Sequence, residues 1–124
     1  MQPIVYMDTS TVRNGKLEEV KAGVARLAEL VEANMPRIIS YGFCFDDERH
    51  LMTVVAVHPD AESLRSHLEA GGDEFRKFSQ LLDLNRIDVY GSVSASVLER
   101  LEQKARMLGS GVVAVHGYHA GFAR

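Results

Sequence analysis

Two histidines are the strongest candidates for acid–base chemistry in this chain. His67 lies between Leu64 and Leu68 on the apolar face of a helical pattern, where an imidazole could act as a base or hydrogen-bond a ligand. His58 ends an apolar run just before Pro59, so it could line the mouth of a cavity. The alternatives are a core histidine bonded to a backbone carbonyl at position 67 and an ordinary strand-end histidine at position 58.

Aromatic residues at strand and helix spacing could complete a ligand site. The hydroxyls of Tyr41 and Tyr6 could orient a phenol or quinone, although tyrosines on strands more often only pack. Phe43, Phe75 and Phe78 are core candidates that could also form the apolar wall of a ligand pocket. We therefore predict Tyr41 as a catalytic candidate beside the two histidines, and Tyr6 with the three phenylalanines as pocket residues.

Other reactive residue types give weaker signals. His116 and His119 are three apart in a run that is typical of a strand and tail, without the acidic or cysteine neighbours that a zinc site would use. Cys44 has no sequence neighbour that would lower its thiol pKa, so we expect an inert thiol. The sequence contains neither a glycine-rich phosphate loop nor a Gly-x-Ser-x-Gly elbow. We predict no metal and no cofactor.

The elements that must position these side chains follow from hydrophobic periodicity and turn signals. Two glycines, Gly71 and Gly72, are predicted to interrupt the second helix, and Ser96 with Glu99 has the spacing of a capping box for the third. The predicted elements are strand 3–9, helix 16–34, strands 38–45 and 51–58, a helix from 60, strand 87–90, helix 94–108 and strand 112–118.

The first six elements have the order β-α-β-β-α-β, which is the ferredoxin-like plan of an α+β domain. Its usual product is a four-stranded antiparallel sheet with both helices on one face. Residues 93–124 add a helix and a strand to this plan, and we predict one domain over residues 1–124.

Both faces of the predicted sheet are largely apolar. On the third strand, Val55 and Val57 point to one face while Val54 and Ala56 point to the other. Leaving an apolar face in water costs about 25 cal/mol per Å². A second copy of the same sheet would cover it, so we predict a homodimer, although the third helix could instead fold across that face within one chain.

Residues 53–68 resemble the central segment of antibiotic-biosynthesis monooxygenase domains. In that family an apolar strand runs into a helix of the form Asp/Ser-x-x-x-Leu-x-x-His-Leu, and a Phe-x-x-Phe element follows; residues 60–68 and 75–78 match these two motifs. The resemblance, which covers about residues 1–90, implies a dimeric α/β barrel that acts as a cofactor-independent monooxygenase on a small aromatic or polyketide-like molecule. It also implies that His67, with Tyr41 or His58, takes the substrate proton or holds the substrate anion.

Two features of the family's haem-degrading members are missing from this sequence. Those members use a histidine near the Phe-x-x-Phe element as the iron ligand, and here the matching position is Glu74. They also tend to carry a cavity tryptophan, whereas this chain has 0 tryptophans. We therefore predict no haem.

Composition narrows the remaining function classes. A net charge of −3 without a concentrated basic face argues against nucleic-acid binding, and no apolar run approaches the length of a membrane span. One cysteine and no signal-peptide pattern favour a cytoplasmic protein. The predicted partner is a small apolar or aromatic ligand, and the alternative to an enzyme is a non-catalytic dimeric protein with a binding or structural role.

Overall fold

A computed structural model describes residues 2–124 as one five-stranded open sheet covered by three helices. The strand order is β2-β3-β1-β4-β5. The elements are β1 (Ile4–Val12), α1 (Leu17–Asn34), β2 (Ser40–Asp46), β3 (Leu51–His58), α2 (Ala61–Arg76), β4 (Leu82–Tyr90), α3 (Ala95–Leu108) and β5 (Gly109–His116).

The ferredoxin-like plan is confirmed, with the added helix and strand. Central β1 pairs antiparallel with β3 on one side and with β4 on the other, and β2 forms a hairpin with β3. The four strands of that plan are antiparallel as predicted, and the added strand β5 lies parallel to β4. The reason is topological, because α3 is a crossover connection and returns the chain to the same end of the sheet.

Alternation along β1 divides the sheet into two unlike faces. Every second residue from Ile4 to Val12 is buried on the inner face, and the four residues between them are intermediate in exposure on the outer face. All three helices pack on that inner face. Helix α3 belongs there because Leu101 and Lys104 are buried with the inner side chains of β1.

The outer face carries Val5 and Met7 on β1 with Val55 and Val57 on β3, all of them only half-buried. Because α3 lies on the opposite side, this chain does not cover that apolar strip with its own third helix. One of the two alternatives left open by the sequence is thereby removed.

Helix boundaries correct two sequence predictions. The glycine pair at positions 71 and 72 does not interrupt α2, which runs without a break to Arg76. The capping box predicted at Ser96 is also wrong, since Ser94 is the N-cap of α3 and its hydroxyl accepts from the Val97 backbone N–H at 3.2 Å. At the start of α2 the N-cap is Asp60, whose carboxylate accepts from the backbone N–H of residue 63 at 2.9 Å.

Glycines also explain how β5 joins the sheet. A Cβ atom built on Gly109 would lie 2.5 Å from the Leu84 carbonyl oxygen, and one on Gly111 would lie 2.5 Å from the Asn85 carbonyl oxygen. The pairing of β4 with β5 is irregular at this point. Only residues without a side chain allow the two backbones to approach this closely.

Within residues 2–124, no helix combines the length and apolar character that crossing a bilayer requires.

The two adjacent glycines of α2 give a matched test of packing against helix propensity. A Cβ on Gly71 would lie 2.5 Å from the buried Phe75 ring, whereas a Cβ on Gly72 meets nothing within 4 Å. We expect Gly72→Ala to raise the free energy of unfolding by about 0.5–1 kcal/mol. We expect Gly71→Ala to lower it by about 1–3 kcal/mol, because the ring must shift in a packed core. Urea denaturation followed by circular dichroism measures both, and equal effects of the two substitutions would contradict this packing.

Candidate functional site

Polar residues stand on the buried face of β1, where an apolar side chain is the rule. Tyr6, Asp8 and Ser10 alternate inward between Ile4 and Val12, and their exposed fractions are 2%, 3% and 2%. A carboxylate in such a place is costly unless it is paired and hydrogen-bonded. Its partner must therefore come from an element that packs on this face.

That partner is Lys104 of α3. It lies on the buried face of the helix together with Leu101, Ala105 and Leu108. The packing of this face on the sheet therefore places the ammonium in the core. The side chain is 9% exposed. Its Nζ lies 4.2 Å from the centre of the Phe75 ring, which gives the cation an aromatic face as well as oxygen partners.

Three side chains form one hydrogen-bonded cluster, which we call the Tyr6–Asp8–Lys104 cluster. The Tyr6 hydroxyl donates to Asp8 Oδ2 at 2.5 Å, and Lys104 Nζ donates to the Tyr6 hydroxyl at 2.8 Å and to Asp8 Oδ2 at 3.3 Å. Burial, with a further contribution from the Asp8 carboxylate, raises the pKa of the Tyr6 hydroxyl well above its usual value. The tyrosine therefore keeps its proton and acts as a donor.

A cavity of about 30 Å³ lies directly beside this cluster. Asp8, Ser10 and Lys104 supply its polar lining, and the rest is apolar or aromatic. The remaining lining residues are Val24, Leu27, Tyr41, Phe43, Met52, Val54, Phe75, Phe78, Leu82, Leu84 and Leu108. The arrangement is a mostly apolar space whose lining includes a carboxylate and an ammonium.

Four of the residues predicted from the sequence line this cavity: Tyr41, Phe43, Phe75 and Phe78. Tyr41 and Phe43 come from β2, the edge strand, and are half-buried. Burial, with a smaller contribution from Asp8, raises the pKa of the Tyr41 hydroxyl. The hydroxyl therefore stays protonated and can donate a hydrogen bond. Tyr6 does not line the cavity but bonds to Asp8, which does.

His67 lies behind the aromatic wall rather than in the cavity lining. Its ring contacts Tyr41 and Phe75 edge-on, with centroids 5.2 and 5.3 Å away, and its Nδ1 lies 3.1 Å from Met35 Sδ. A separate crevice between α1 and α2 is lined by His67 and Met35. Burial, the charge of Lys104 and the neighbouring His58 lower the pKa of His67 to about 3, so the imidazole is neutral at physiological pH.

His58 is fully buried behind His67 and does not line the cavity. Its Nδ1 lies 2.9 Å from Ser63 Oγ, and its ring is 5.7 Å from the His67 ring. Burial lowers the pKa of His58 to about 4, against a smaller opposite effect of Asp60. Among the described residues, His58 Nε2 is a buried side-chain atom without a hydrogen-bond partner.

Sequence reasoning missed Asp8, Ser10 and Lys104. Signals for them exist, since Asp8 and Ser10 occupy the inward register of a β-rich run and Lys104 interrupts the apolar stripe of α3. The histidine near the C-terminus is placed apart from this site: His116 Nε2 lies 2.8 Å from Asp88 Oδ1 on the exposed side of the sheet. Within residues 2–124 no three His, Cys, Asp or Glu side chains are grouped as metal ligands would be.

Comparison with known proteins adds information on the fold alone. No family model and no curated protein matches this sequence. Among solved structures, MupZ from Pseudomonas fluorescens superposes with a TM-score of 0.76 at 21% identity, over 100% of this chain and 96% of MupZ. SnoaB, a cofactor-independent oxygenase from Streptomyces nogalater, superposes with a TM-score of 0.61 at 17% identity, over 72% of this chain and 91% of SnoaB.

A protein of Chloroflexus aurantiacus assigned to the antibiotic biosynthesis monooxygenases superposes with a TM-score of 0.59 at 16% identity, over 71% of this chain and 90% of its own. Identities this low speak to architecture and not to reaction. The resemblance drawn from residues 53–68 and 75–78 is confirmed at that level: this chain has the ferredoxin-like α+β fold of the antibiotic-biosynthesis monooxygenase domains.

Proposed function

We propose that this protein is a cofactor-independent monooxygenase that acts on a small aromatic or polyketide-like molecule. The observation that carries the proposal is a buried carboxylate, Asp8, which lines an apolar, aromatic-walled cavity together with Tyr41. SnoaB, which shares this fold at 17% identity, is itself a cofactor-independent oxygenase, so the proposed reaction is one that the fold can house.

The reaction requires the substrate itself to supply the electrons. Loss of a proton from an enol or phenol gives an anion that passes an electron to O₂, and recombination gives a peroxide on carbon. Loss of water from that peroxide leaves a carbonyl where the substrate carried C–H, so one oxygen atom enters the product and the other leaves as water. A site of this kind needs a proton acceptor, a donor for the substrate oxygen and an environment without water.

The cavity residues match these needs. The Asp8 carboxylate can accept the substrate proton, and the protonated Tyr41 hydroxyl can donate to the substrate oxygen. His67 is a weak base, because its pKa is lowered to about 3, and it touches the cavity lining through Tyr41 and Phe75. Its proposed role is to position those rings, with His58 supporting it from behind at 5.7 Å.

A homodimer forms part of the proposal. The half-buried apolar strip of Val5, Met7, Val55 and Val57 lies opposite the helices and is not covered within one chain. Packing two such strips face to face removes both from water, and the two open sheets then form the barrel that the sequence resemblance implies.

A non-catalytic binding protein is the second candidate, and the cavity volume favours it. A space of about 30 Å³ holds roughly one water molecule, so an aromatic ligand enters only if side chains move. Tyr41 and Phe43 on the edge strand are half-buried and are the part of the lining best placed to swing outward. Oxygen uptake separates the two candidates, since binding alone consumes none.

The first test is oxygen uptake with a panel of polycyclic phenols and enolisable aromatic ketones, without added metal, flavin or haem. We expect one O₂ consumed per product formed, and a loss of roughly 10²–10⁴-fold in kcat for Asp8→Asn. Tyr41→Phe, which keeps the ring, should lower kcat by roughly tenfold or more through loss of the donor. If the wild type binds these compounds but takes up no oxygen, the monooxygenase proposal is contradicted and the non-catalytic binding protein is the remaining candidate.

The second test concerns assembly. Light scattering at micromolar concentration should give a mass near twice the chain mass of 13.7 kDa. Val55→Glu places a charge in the centre of the outer strip and should give monomers, because two such charges would face each other in a dry interface. Leu30→Glu is the control, since Leu30 is 45% exposed on α1 and away from the strip. A monomeric wild type would contradict the dimer.

The third test is the pH dependence of stability. The folded protein holds the pKa of His58 near 4 and that of His67 near 3, whereas an unfolded histidine titrates near 6.5. Below pH 6.5 these two histidines therefore bind protons in the unfolded chain but stay neutral in the folded chain. The free energy of unfolding should consequently fall from about pH 6.5 toward pH 4. Urea denaturation at pH 7.5 and 5 measures the drop. Replacing His119, exposed in the tail, with Gln should leave the drop unchanged, while His67→Gln should reduce it.

A further inference from the structure

We infer that Lys104, carried by the C-terminal helix α3, determines which ligand the cavity accepts: it pairs with the anion of a neutral, weakly acidic hydroxyl compound and selects that compound against carboxylates. The inference rests on the proposed function in taking this cavity as the substrate site. It adds a binding role for a residue outside the segment that resembles the monooxygenase domains.

The first argument is the net charge of the ionised residues that line the cavity. Lys104 and Asp8 are 9% and 3% exposed, and together they carry no net charge. A ligand that arrives as a carboxylate would bring a second negative charge into this apolar space and leave one charge without a partner, which is strongly unfavourable. A ligand that arrives as a neutral phenol or enol brings none.

The second argument is where a proton can go. The two hydrogen bonds that Asp8 accepts within the cluster both use Oδ2, so Oδ1 accepts none from the described residues. When the hydroxyl O–H bond of the ligand breaks and an O–H bond forms on Asp8, the carboxylate becomes neutral and the ligand becomes an anion. The ammonium of Lys104 keeps its three protons and exchanges one anionic partner for another. The total charge of the site is zero before and after.

The third argument is geometry. Lys104 Nζ makes two hydrogen bonds, to the Tyr6 hydroxyl and to Asp8, which leaves its third N–H for a ligand. Lys104, Asp8 and Tyr41 all line the same cavity, so a ligand oxygen placed between them meets an ammonium, a carboxylate and a phenol. Tyr6 retains its own proton and fixes the other two side chains without competing as a base.

The fourth argument is where Lys104 stands in the chain. The first six elements, up to β4 (Leu82–Tyr90), complete the β-α-β-β-α-β plan. Helix α3 follows them and reaches β1 across the core through Lys104. The ammonium is thus added to the ferredoxin-like domain by its C-terminal extension.

The test uses para-nitrophenol, whose visible absorbance reports whether it is ionised, at a pH below the pKa of the free probe. Bound to the wild type, the probe should show the phenolate band, and para-nitrobenzoate of the same size should bind roughly tenfold more weakly or worse. Lys104→Arg retains a cation and should retain part of the band.

Because Lys104→Met alone leaves Asp8 buried without its cation and could unfold the chain, the decisive variant is the charge-balanced Asp8→Asn/Lys104→Met. It should remain folded by circular dichroism and bind the probe only in its neutral form. A phenolate band in this double variant, binding of para-nitrobenzoate as tight as that of the phenol, or no binding of the phenol to the wild type would each overturn the inference.

These measurements need no oxygen, so the two proposals fail separately. A wild type that ionises the probe but consumes no oxygen with any substrate would overturn the monooxygenase and leave the role of Lys104 standing. A wild type that consumes oxygen but binds the probe only in its neutral form would overturn the role of Lys104 and leave the monooxygenase standing.

Discussion

The buried ion pair between Asp8 and Lys104 is the constraint on which the arrangement of this protein depends. A carboxylate on the inner face of the central strand is tolerated only because α3 brings an ammonium to within 3.3 Å and Tyr6 bonds to both. The same helix is the crossover after which β5 lies parallel to β4. With α3 on the inner face, the outer face of the sheet is left without a helix of this chain.

Elements with a strong local signal could be predicted from the sequence, and those decided by distant contacts could not. Helix α1 and strand β3 follow from periodicity and β-rich composition, and their predicted bounds agree with Leu17–Asn34 and Leu51–His58. The break predicted at Gly71 fails because Phe75 packs on that glycine, so the missing side chain serves packing rather than termination. Propensity favoured a break, and tertiary contact decided against it.

The candidate site divides in the same way. Tyr41, Phe43, Phe75 and Phe78 could be predicted because alternation on a strand or spacing on a helix already assigns them to the inner face. Lys104 could not be assigned a partner, because Asp8 lies 96 positions away and nothing local in α3 indicates which strand it meets. A charge on an apolar stripe and a carboxylate in a β-rich run were each visible, and only the fold joins them.

A pair of this kind is a poor device for stability. Removing two charges from water costs about as much as their attraction returns, and apolar residues of similar volume often give a more stable core. The surrounding residues are apolar, so a hydrophobic pair could fill the same space between β1 and α3. The cluster also lies beside a cavity and holds an acceptor, a donor and a cation within about 3 Å of one another. The proposed binding role of Lys104, in which these groups change the ionisation of the ligand, gives a reason for a charged pair that packing alone does not require.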